Sequence, residues 1–221
     1  MNPVICTVDV VLLTLQEERL KVALLKRDRE PFIGLFALPG GFIHANEDND
    51  AKDAARRVLR EKAGIVAPYL EQLASFSGPT RDPRSWSVSI TYYALVPFDL
   101  IEKAGHPDIR LVSVDKLPKL PFDHRIIIET AVSRLRSKSQ YSSLPCYLAG
   151  ETFTLPQLQR VYEALMGEPL NKVSFRRKMT EMGMLEEIEG RFEAAGAHRP
   201  AQVVRLKPKF REQLTLLERG L

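Results

Sequence analysis

Residues 40–65 read GGFIHANEDNDAKDAARRVLREKAGI, and this stretch decides how the first half of the chain folds. A short apolar segment ends at the glycine pair, and a carboxylate follows Gly41 a few residues later. Asp50 is placed to cap a helix that runs to about Lys62 and is closed by Gly64. A glycine turn, carboxylates and a capped helix in this order indicate a site for phosphate and magnesium chemistry.

The composition is that of an ordinary globular protein. The chain has 221 residues, 44% hydrophobic and 27% charged, and a net charge of +4 that permits an anionic partner without requiring one. Cys6 and Cys146 are far apart with no nearby Cys or His set, which excludes a zinc cluster and fits a reducing cytoplasm. No apolar run is long enough to cross a membrane. The apolar N-terminus lacks a basic region and contains Asp9, so we interpret it as a strand, not a signal peptide.

The first part of the chain alternates strand and helix patterns, which predicts an α/β domain over residues 1–138. A polar turn joins two Val- and Leu-rich segments into a hairpin, and a helix is predicted from Asp123 to Lys138. Further strands are predicted near Glu71–Phe76, Trp86–Val96 and Ile109–Ser113.

The composition changes at residues 137–151, SKSQYSSLPCYLAGE, where we predict a linker over 139–150. The remaining residues, 151–221, form a second predicted domain. Thr154 and Gln157 make a capping box for one helix, and Asn171 caps a second helix. Residues 184–208 read as two strands, so the order is helix, turn, helix, hairpin. This layout is typical of a winged helix-turn-helix domain.

The helix within residues 40–65 lacks the carboxylates that a magnesium site needs. Three side chains share one helix face at i, i+3 and i+4, and here they are Val58, Glu61 and Lys62. One carboxylate, one ammonium and one alkyl group cannot hold a divalent cation well. We therefore assign no catalytic residue and no metal ligand, and expect Lys62 to offer a positive charge where the metal would lie.

Arginines near the next strand indicate that an anion-binding pocket is retained. Arg81, Asp82 and Arg84 cluster before the strand that starts near Trp86, and Arg27 ends an earlier strand. Guanidinium groups suit phosphate and ribose oxygens, although a solvated loop with local Arg–Asp pairing has the same composition. Three aromatic residues are candidates for stacking on a base: Phe32, Phe36 and Trp86.

The second helix of the C-terminal domain, within residues 171–182, is amphipathic, with one apolar face and one cationic face. Phe175, Met179 and Met182 fall on the inner side, and Glu181 is the only acid. Such a helix suits a DNA groove, although a solvated basic helix of an auxiliary domain remains the alternative. The predicted DNA contacts are Lys172, Ser174, Arg176, Arg177 and Lys178, with His198 and Arg199 at the tip of the hairpin.

Residues 41–65 resemble a Nudix box. Its glycine, glutamate, arginine, apolar and final glycine positions are occupied here by Gly41, Glu47, Arg57, Leu59, Glu61, Gly64 and Ile65. Val58 and Lys62 replace glutamates that carry catalysis in Nudix enzymes, and the spacing from Glu47 to Arg57 is two residues longer than in the family pattern.

The whole chain resembles the Nudix-related transcriptional regulators of NAD metabolism, the NrtR family. Residues 77–97, 120–125 and 153–178 carry this resemblance together with the altered box. It implies an α/β/α Nudix sandwich with a winged helix, and a homodimeric repressor of NAD biosynthesis and salvage genes. It also implies a palindromic DNA operator that is released by ADP-ribose, with no other cofactor. The predicted ligand contacts are Arg27, Gly41, Glu47, Lys62, Arg81, Asp82 and Arg84.

Two other functions fit the same residues. Glu47 and Glu61 remain, so an active ADP-ribose pyrophosphatase with an unusual metal set is one alternative. A sugar-responsive regulator with the same two domains is the other. For the regulator, we predict that residues 137–150 act as the hinge between pocket and winged helix.

Overall fold

The computed structural model describes residues 3–195 and 198–212. The chain forms two compact units, Met1–Arg134 and Leu135–Leu221. The division therefore falls after Arg134, within a helix, and not after Lys138 as the sequence predicts.

The first unit is built on a mixed seven-stranded sheet. β1 lies in its centre, pairs in parallel with β6 and antiparallel with β2, and the order across the sheet is β3–β2–β1–β6–β5. β4 also pairs with β1, and β7 with β2. The strands are β1 Ile5–Gln16, β2 Arg19–Lys26, β3 Phe36–Ala37, β4 Gly40–Phe42, β5 Tyr69–Gly78, β6 Ser87–Leu95 and β7 Ile109–Ser113.

Three helices belong to or begin in this unit: α1 Ala51–Ala63, α2 Phe98–Ala104 and α3 His124–Ser139. β1 is apolar at consecutive positions because both of its faces are covered. Val8, Val10 and Leu12 are in one core cluster with Val58 and Leu59 of α1. This packing fixes α1 over the sheet, and with it the residues at the C-terminal end of α1.

The two ends of α1 are those that the sequence predicts. The Asp50 side chain accepts a hydrogen bond from the Asp53 backbone N–H at 2.8 Å. Gly64 closes the helix in the left-handed conformation, with φ 65°, which a side chain would disfavour. α2 was not predicted, because it has only seven residues and no side-chain cap at Pro97.

The second unit contains short helices and a three-stranded sheet of order β8–β10–β9. Its elements are α4 Cys146–Ala149, β8 Phe153–Thr154, α5 Leu155–Met166, α6 Lys172–Glu181, β9 Leu185–Ala195, β10 His198–Leu206 and α7 Pro208–Glu212. The capping box at the start of α5 is present, with Thr154 and Gln157 each bonding the other's backbone N–H. α5, α6 and the β9–β10 hairpin give the predicted helix-turn-helix with a wing.

The predicted linker, 139–150, is part of the second unit's core, which corrects that prediction. Ser139, Ser142 and Leu144 are fully buried, as is nearly all of Cys146. The hydroxyls of Ser139 and Ser142 donate to backbone carbonyls four residues earlier, so these small polar side chains can be buried without cost in hydrogen bonds. Tyr162 of α5 donates its hydroxyl to the Ser142 carbonyl at 3.0 Å. The segment is therefore packed, and it does not have the freedom of a hinge.

None of the described helices combines the length and apolar character that crossing a bilayer requires.

Candidate functional site

A cavity of about 340 Å³ opens in the first unit, beside the glycine pair. Its walls come from β1, the loop after β2, the segment from Ala37 to Phe42, the end of α1 and the loop before β6. Phe122 and His124 add a further wall. The cavity has the size of a small-molecule site, and charged side chains of both signs line it.

The glycine pair allows the backbone of β4 to lie against β1 and α1. A Cβ atom at Gly40 would overlap the Asp9 carboxylate and lie 3.0 Å from the Val8 carbonyl oxygen. A Cβ atom at Gly41 would lie 3.3 Å from a Val58 methyl group. Gly40 therefore requires glycine for close approach, whereas a side chain at Gly41 would only press on the Val58 methyl group. Gly41 lines the cavity.

The three helix positions of the altered box have different surroundings. Val58 is buried in the core, and Lys62 lines the cavity with its Nζ donating to the Gly40 carbonyl at 2.5 Å. Burial lowers the pKa of the Lys62 ammonium, and the charge of nearby Arg29 lowers it further. Glu61 is outside the cavity lining and lies 3.5 Å from Arg57 Nη1. The cavity wall formed by α1 thus presents an ammonium group and no carboxylate.

Glu47 is the exception among the predicted ligand contacts, because it is not part of the cavity lining. Its side chain is 62% exposed, and its carboxylate lies 3.1 Å from His44 Nδ1 and 3.8 Å from Arg57 Nε. Asp48 instead pairs closely with Arg57, through two hydrogen bonds of 2.8 Å.

We expect Asp48→Ala to lower the free energy of unfolding by about 1.5–3 kcal/mol at pH 7, because it removes a bidentate, charge-assisted pair. The hydrogen bonds from Arg57 lower the pKa of the buried Asp48 carboxyl to about 2. A lowered folded-state pKa gives stability that is present above the ordinary aspartate pKa and is lost as pH falls toward 2. Urea denaturation at pH 7 and pH 3 tests this.

The control for this prediction is Asp99→Ala, which removes an exposed pair with Lys103 and should change stability by less than about 0.5 kcal/mol. An Asp48→Ala protein as stable as the wild type at pH 7 would show that the Asp48–Arg57 pair does not hold this loop.

Arg27 and Arg84 both lie in the cavity wall and are oriented by other side chains. The Arg84 guanidinium makes two hydrogen bonds to Asp82, of 3.0 and 2.7 Å, and lies over the Phe42 ring. Burial opposes ionisation of Asp82, but these bonds hold the pKa of its carboxyl below the usual value. Arg27 donates to the Pro31 carbonyl and lies over the Phe122 ring. Both guanidinium groups are thereby fixed at the cavity wall.

Arg81 lines the cavity, but its guanidinium group is already bonded to other side chains of the protein. It makes two hydrogen bonds of 3.0 Å to Asp123, another to Ser87, and lies 3.5 Å from Asp9. Its side chain is only 8% exposed. Arg81→Ala would leave the Asp9 and Asp123 carboxylates without this partner, so it is a poor test of ligand contact.

His124 forms a neutral part of the cavity wall. Its Nδ1 accepts a hydrogen bond from the Leu38 backbone N–H at 3.0 Å, and its Nε2 lies 3.7 Å from Asp9. Burial is the main reason that the pKa of His124 is lowered. Sequence reasoning assigned no role to Asp123 or His124, although LPFDHR contains both; their partners lie far away in sequence.

The aromatic side chains of the cavity differ from those predicted to stack on a base. Phe42 and Phe122 line it, whereas Phe32, Phe36 and Trp86 do not. Phe32 packs edge-on against Phe122. The ring available at the glycine segment, Phe42, is 48% exposed and therefore open to a ligand.

In the second unit, α6 presents the predicted cationic face. Phe175 and Met179 are buried, and the Phe175 ring packs edge-on against Tyr162 of α5 at 5.4 Å. Asn171 caps the helix through its side-chain oxygen. The exposed outer residues include Lys172, Ser174, Arg176 and Arg177. This helix has the exposed cationic surface that a groove-reading helix requires.

The other three predicted DNA contacts are Lys178, which is not fully exposed, and His198 and Arg199, whose side chains are not described. Lys178 is partly buried, and burial lowers the pKa of its ammonium group. It therefore lies at the side of the exposed face. The side chains of His198 and Arg199 lie outside the described residues, although β10 begins at His198.

Known proteins match both units of the chain. A model of the NUDIX domain matches residues 6–131, and a model of the NrtR DNA-binding winged helix domain matches residues 145–206. The ADPR responsive transcriptional repressor NtrR of Acinetobacter baylyi is 40% identical over 204 residues, which are 90% of this chain and 80% of that protein.

Two crystal structures of Shewanella oneidensis NrtR are also similar. The one complexed with a 27mer DNA has 38% identity and a TM-score of 0.89, covering 98% of this chain and 99% of that chain. The one of its NUDIX domain complexed with ADP ribose has 39% identity and a TM-score of 0.55, covering 61% of this chain and 90% of that chain.

Proposed function

Because the chain belongs to the NrtR family of Nudix-related transcriptional regulators, we propose that it is an ADP-ribose-responsive repressor of NAD biosynthesis and salvage genes. α6 is the observation that carries this proposal. Its exposed Lys172, Arg176 and Arg177 form a cationic surface on a helix whose back is buried. Hydrolysis of a pyrophosphate does not require such a surface, whereas a transcriptional regulator requires it to bind the phosphates of DNA. We place this regulator in the cytoplasm.

The cavity supports ADP-ribose as the effector through the chemistry of its walls. Arg27, Arg84 and Lys62 are cations that suit a diphosphate, and Phe42 offers a ring face for the base. Asp108 is a lining carboxylate that suits ribose hydroxyls as a hydrogen-bond acceptor, whereas both oxygens of Asp82 already accept from Arg84. The S. oneidensis NUDIX domain complexed with ADP ribose supports the same assignment.

We infer that the cavity binds this ligand without hydrolysing it. Val58 is buried, Lys62 carries the wrong charge and Glu61 is engaged with Arg57, so α1 supplies no carboxylate to a magnesium ion in the cavity. In the part of the chain that the structure describes, His, Cys, Asp and Glu side chains do not gather anywhere in a group of three or more that could hold a metal.

A homodimer with two α6 helices would read a pseudopalindromic operator of about two helical turns. Ligand binding releases this operator only if ADP-ribose favours an arrangement of the dimer that DNA does not. The packed segment 139–150 is an unsuitable hinge. α3 is a better candidate for transmitting the signal, because it begins at His124 in the cavity wall and continues past the division between the units.

We expect ADP-ribose to weaken operator binding by about 5- to 150-fold, a coupling of about 1–3 kcal/mol. Operator DNA must weaken ADP-ribose binding by the same factor, because the coupling is reciprocal. An operator selected from random DNA by the protein, titrated by fluorescence anisotropy with and without ADP-ribose, measures the first factor. Calorimetry of ADP-ribose with and without operator measures the second.

Arg27→Ala should keep DNA affinity and lose the effect of ADP-ribose, since Arg27 lies in the cavity wall and its side-chain hydrogen bonds go to backbone carbonyls, so the change leaves no buried carboxylate unpaired. The matched control is Arg56→Ala, an exposed arginine of α1 outside the cavity lining, which should respond like the wild type. Equal ADP-ribose affinity with and without operator would overturn the sensor function even if both domains are correctly assigned.

A further inference from the structure

The last turn of α1 places a side-chain cation, Lys62, in the lining of the cavity. We propose that the Lys62 ammonium is a built-in replacement for the divalent cation of a Nudix site, so that the cavity binds the diphosphate of its ligand without metal. The inference rests on the proposed function, since it takes the ligand to be a nucleoside diphosphate such as ADP-ribose.

The position of the ammonium group is fixed by the glycine pair. Lys62 Nζ donates to the Gly40 carbonyl at 2.5 Å, and it would lie 3.8 Å from a Cβ atom at Gly41. An ammonium group has further N–H bonds to donate, and Lys62 is part of the cavity lining. The backbone carbonyl therefore orients the cation, and its remaining donors are available to phosphate oxygens.

The residues around Lys62 do not fit a divalent ion. A hard cation requires several oxygen ligands, and carboxylates are its usual protein ligands. Glu61 is engaged with Arg57, and Asp9 lies between Arg81 and His124. Asp28 forms an exposed pair with Arg29. A metal ion near the Gly40 carbonyl would also meet the positive charge of Lys62, which repels it.

The charges that face Lys62 favour an anion. They are Asp9 of β1 and, in the loop after β2, Arg27, Asp28 and Arg29. Burial lowers the pKa of Lys62, and the two arginines lower it further. With Lys62 the cluster has three cations and two carboxylates, so its carboxylates do not neutralise all of its positive charge. A bound diphosphate would supply the missing negative charge and stabilise the protonated amine.

Calorimetry of ADP-ribose in EDTA and in MgCl₂ tests the proposal. We expect the wild type to bind equally well in both. Lys62→Gln should lose roughly 10- to 100-fold in affinity, as expected for one charge-assisted hydrogen bond, and magnesium should not restore it. Lys62→Arg keeps the positive charge and should recover much of the affinity. Lys52→Gln, on the same helix but outside the cavity lining, is the matched control and should bind like the wild type.

Two further measurements separate a direct contact from a structural role. Wild-type affinity should fall as pH rises through the pKa of Lys62, and the fall should shift to higher pH in Lys62→Arg, since arginine keeps its proton. Binding of adenosine, which has no diphosphate, should be the same in the wild type and Lys62→Gln.

The outcomes distinguish this proposal from the function on which it rests. A wild type that binds ADP-ribose at least tenfold more weakly in EDTA than in magnesium overturns the Lys62 proposal alone. Unchanged affinity in Lys62→Gln does the same. A wild type that binds ADP-ribose in neither buffer overturns the effector assignment, and the Lys62 proposal with it.

Discussion

ADP-ribose incubated with the protein and magnesium or manganese is expected to remain intact, with no AMP released above the uncatalysed rate. Removal of one contact that stabilises a transition state commonly costs about 10²–10³ in rate. In α1, two of the three positions that carry glutamates in Nudix enzymes are occupied by Val58 and Lys62. The third is Glu61, which lies 3.5 Å from Arg57. Chromatographic detection of AMP after long incubation measures the effect.

The assay needs evidence that the ligand is bound. The calorimetric titration of ADP-ribose supplies it, and an active Nudix pyrophosphatase in the same buffer shows that AMP is detected. Magnesium-dependent turnover at ordinary Nudix rates would contradict the prediction and favour the pyrophosphatase alternative, with ligands from outside α1.

Arg176→Ala or Arg177→Ala is expected to weaken operator binding by about 1–3 kcal/mol per half-site, if the side chain contacts a base edge. A dimer has two half-sites, so the loss is about twice as large for the whole operator. Arg177 lies 3.7 Å from Glu181 in an exposed pair, which is weak enough to exchange for DNA. Anisotropy titrations against operator and scrambled DNA measure both affinity and specificity.

Lys172→Ala provides the contrast, because a phosphate contact should weaken binding to all sequences and reduce the slope of log affinity against log salt by about 0.9 per contact. Lys103→Ala in α2 removes an exposed cation from the first unit and is the control. Unaltered operator binding in both arginine variants would show that α6 is not the recognition helix.

Local signals in the sequence were sufficient for most elements of the fold. Asp50 and Gly64 mark the two ends of α1, and Thr154 with Gln157 marks the start of α5. These signals act within a few residues, so they can be read from the chain directly. The segment 139–150 is polar in composition, which indicates a linker, but its three serines are buried, and the hydroxyls of Ser139 and Ser142 bond to nearby carbonyls.

The residues of the cavity were only partly predictable, because local signals in the sequence identify some of them and not others. Gly41 and Lys62 are indicated by the local helix and turn pattern, and the structure places both in the cavity lining. The pairing of Arg81 with Asp123 joins residues 42 positions apart, and that of Leu38 with His124 joins residues 86 apart. Only the folded sheet brings such residues together, so no local pattern distinguishes an arginine that faces ligand from one that is held by a carboxylate.

The hydrogen bond from Tyr162 to the Ser142 carbonyl determines how the winged helix can be produced as an isolated fragment. A fragment that starts at residue 151 would remove this acceptor and the buried Leu144 and Cys146 side chains. The fully buried Tyr162 hydroxyl would then lack its partner, and the core around α5 would be open to water. Fragments for binding or crystallisation work should therefore begin no later than Leu135, where the second compact unit starts.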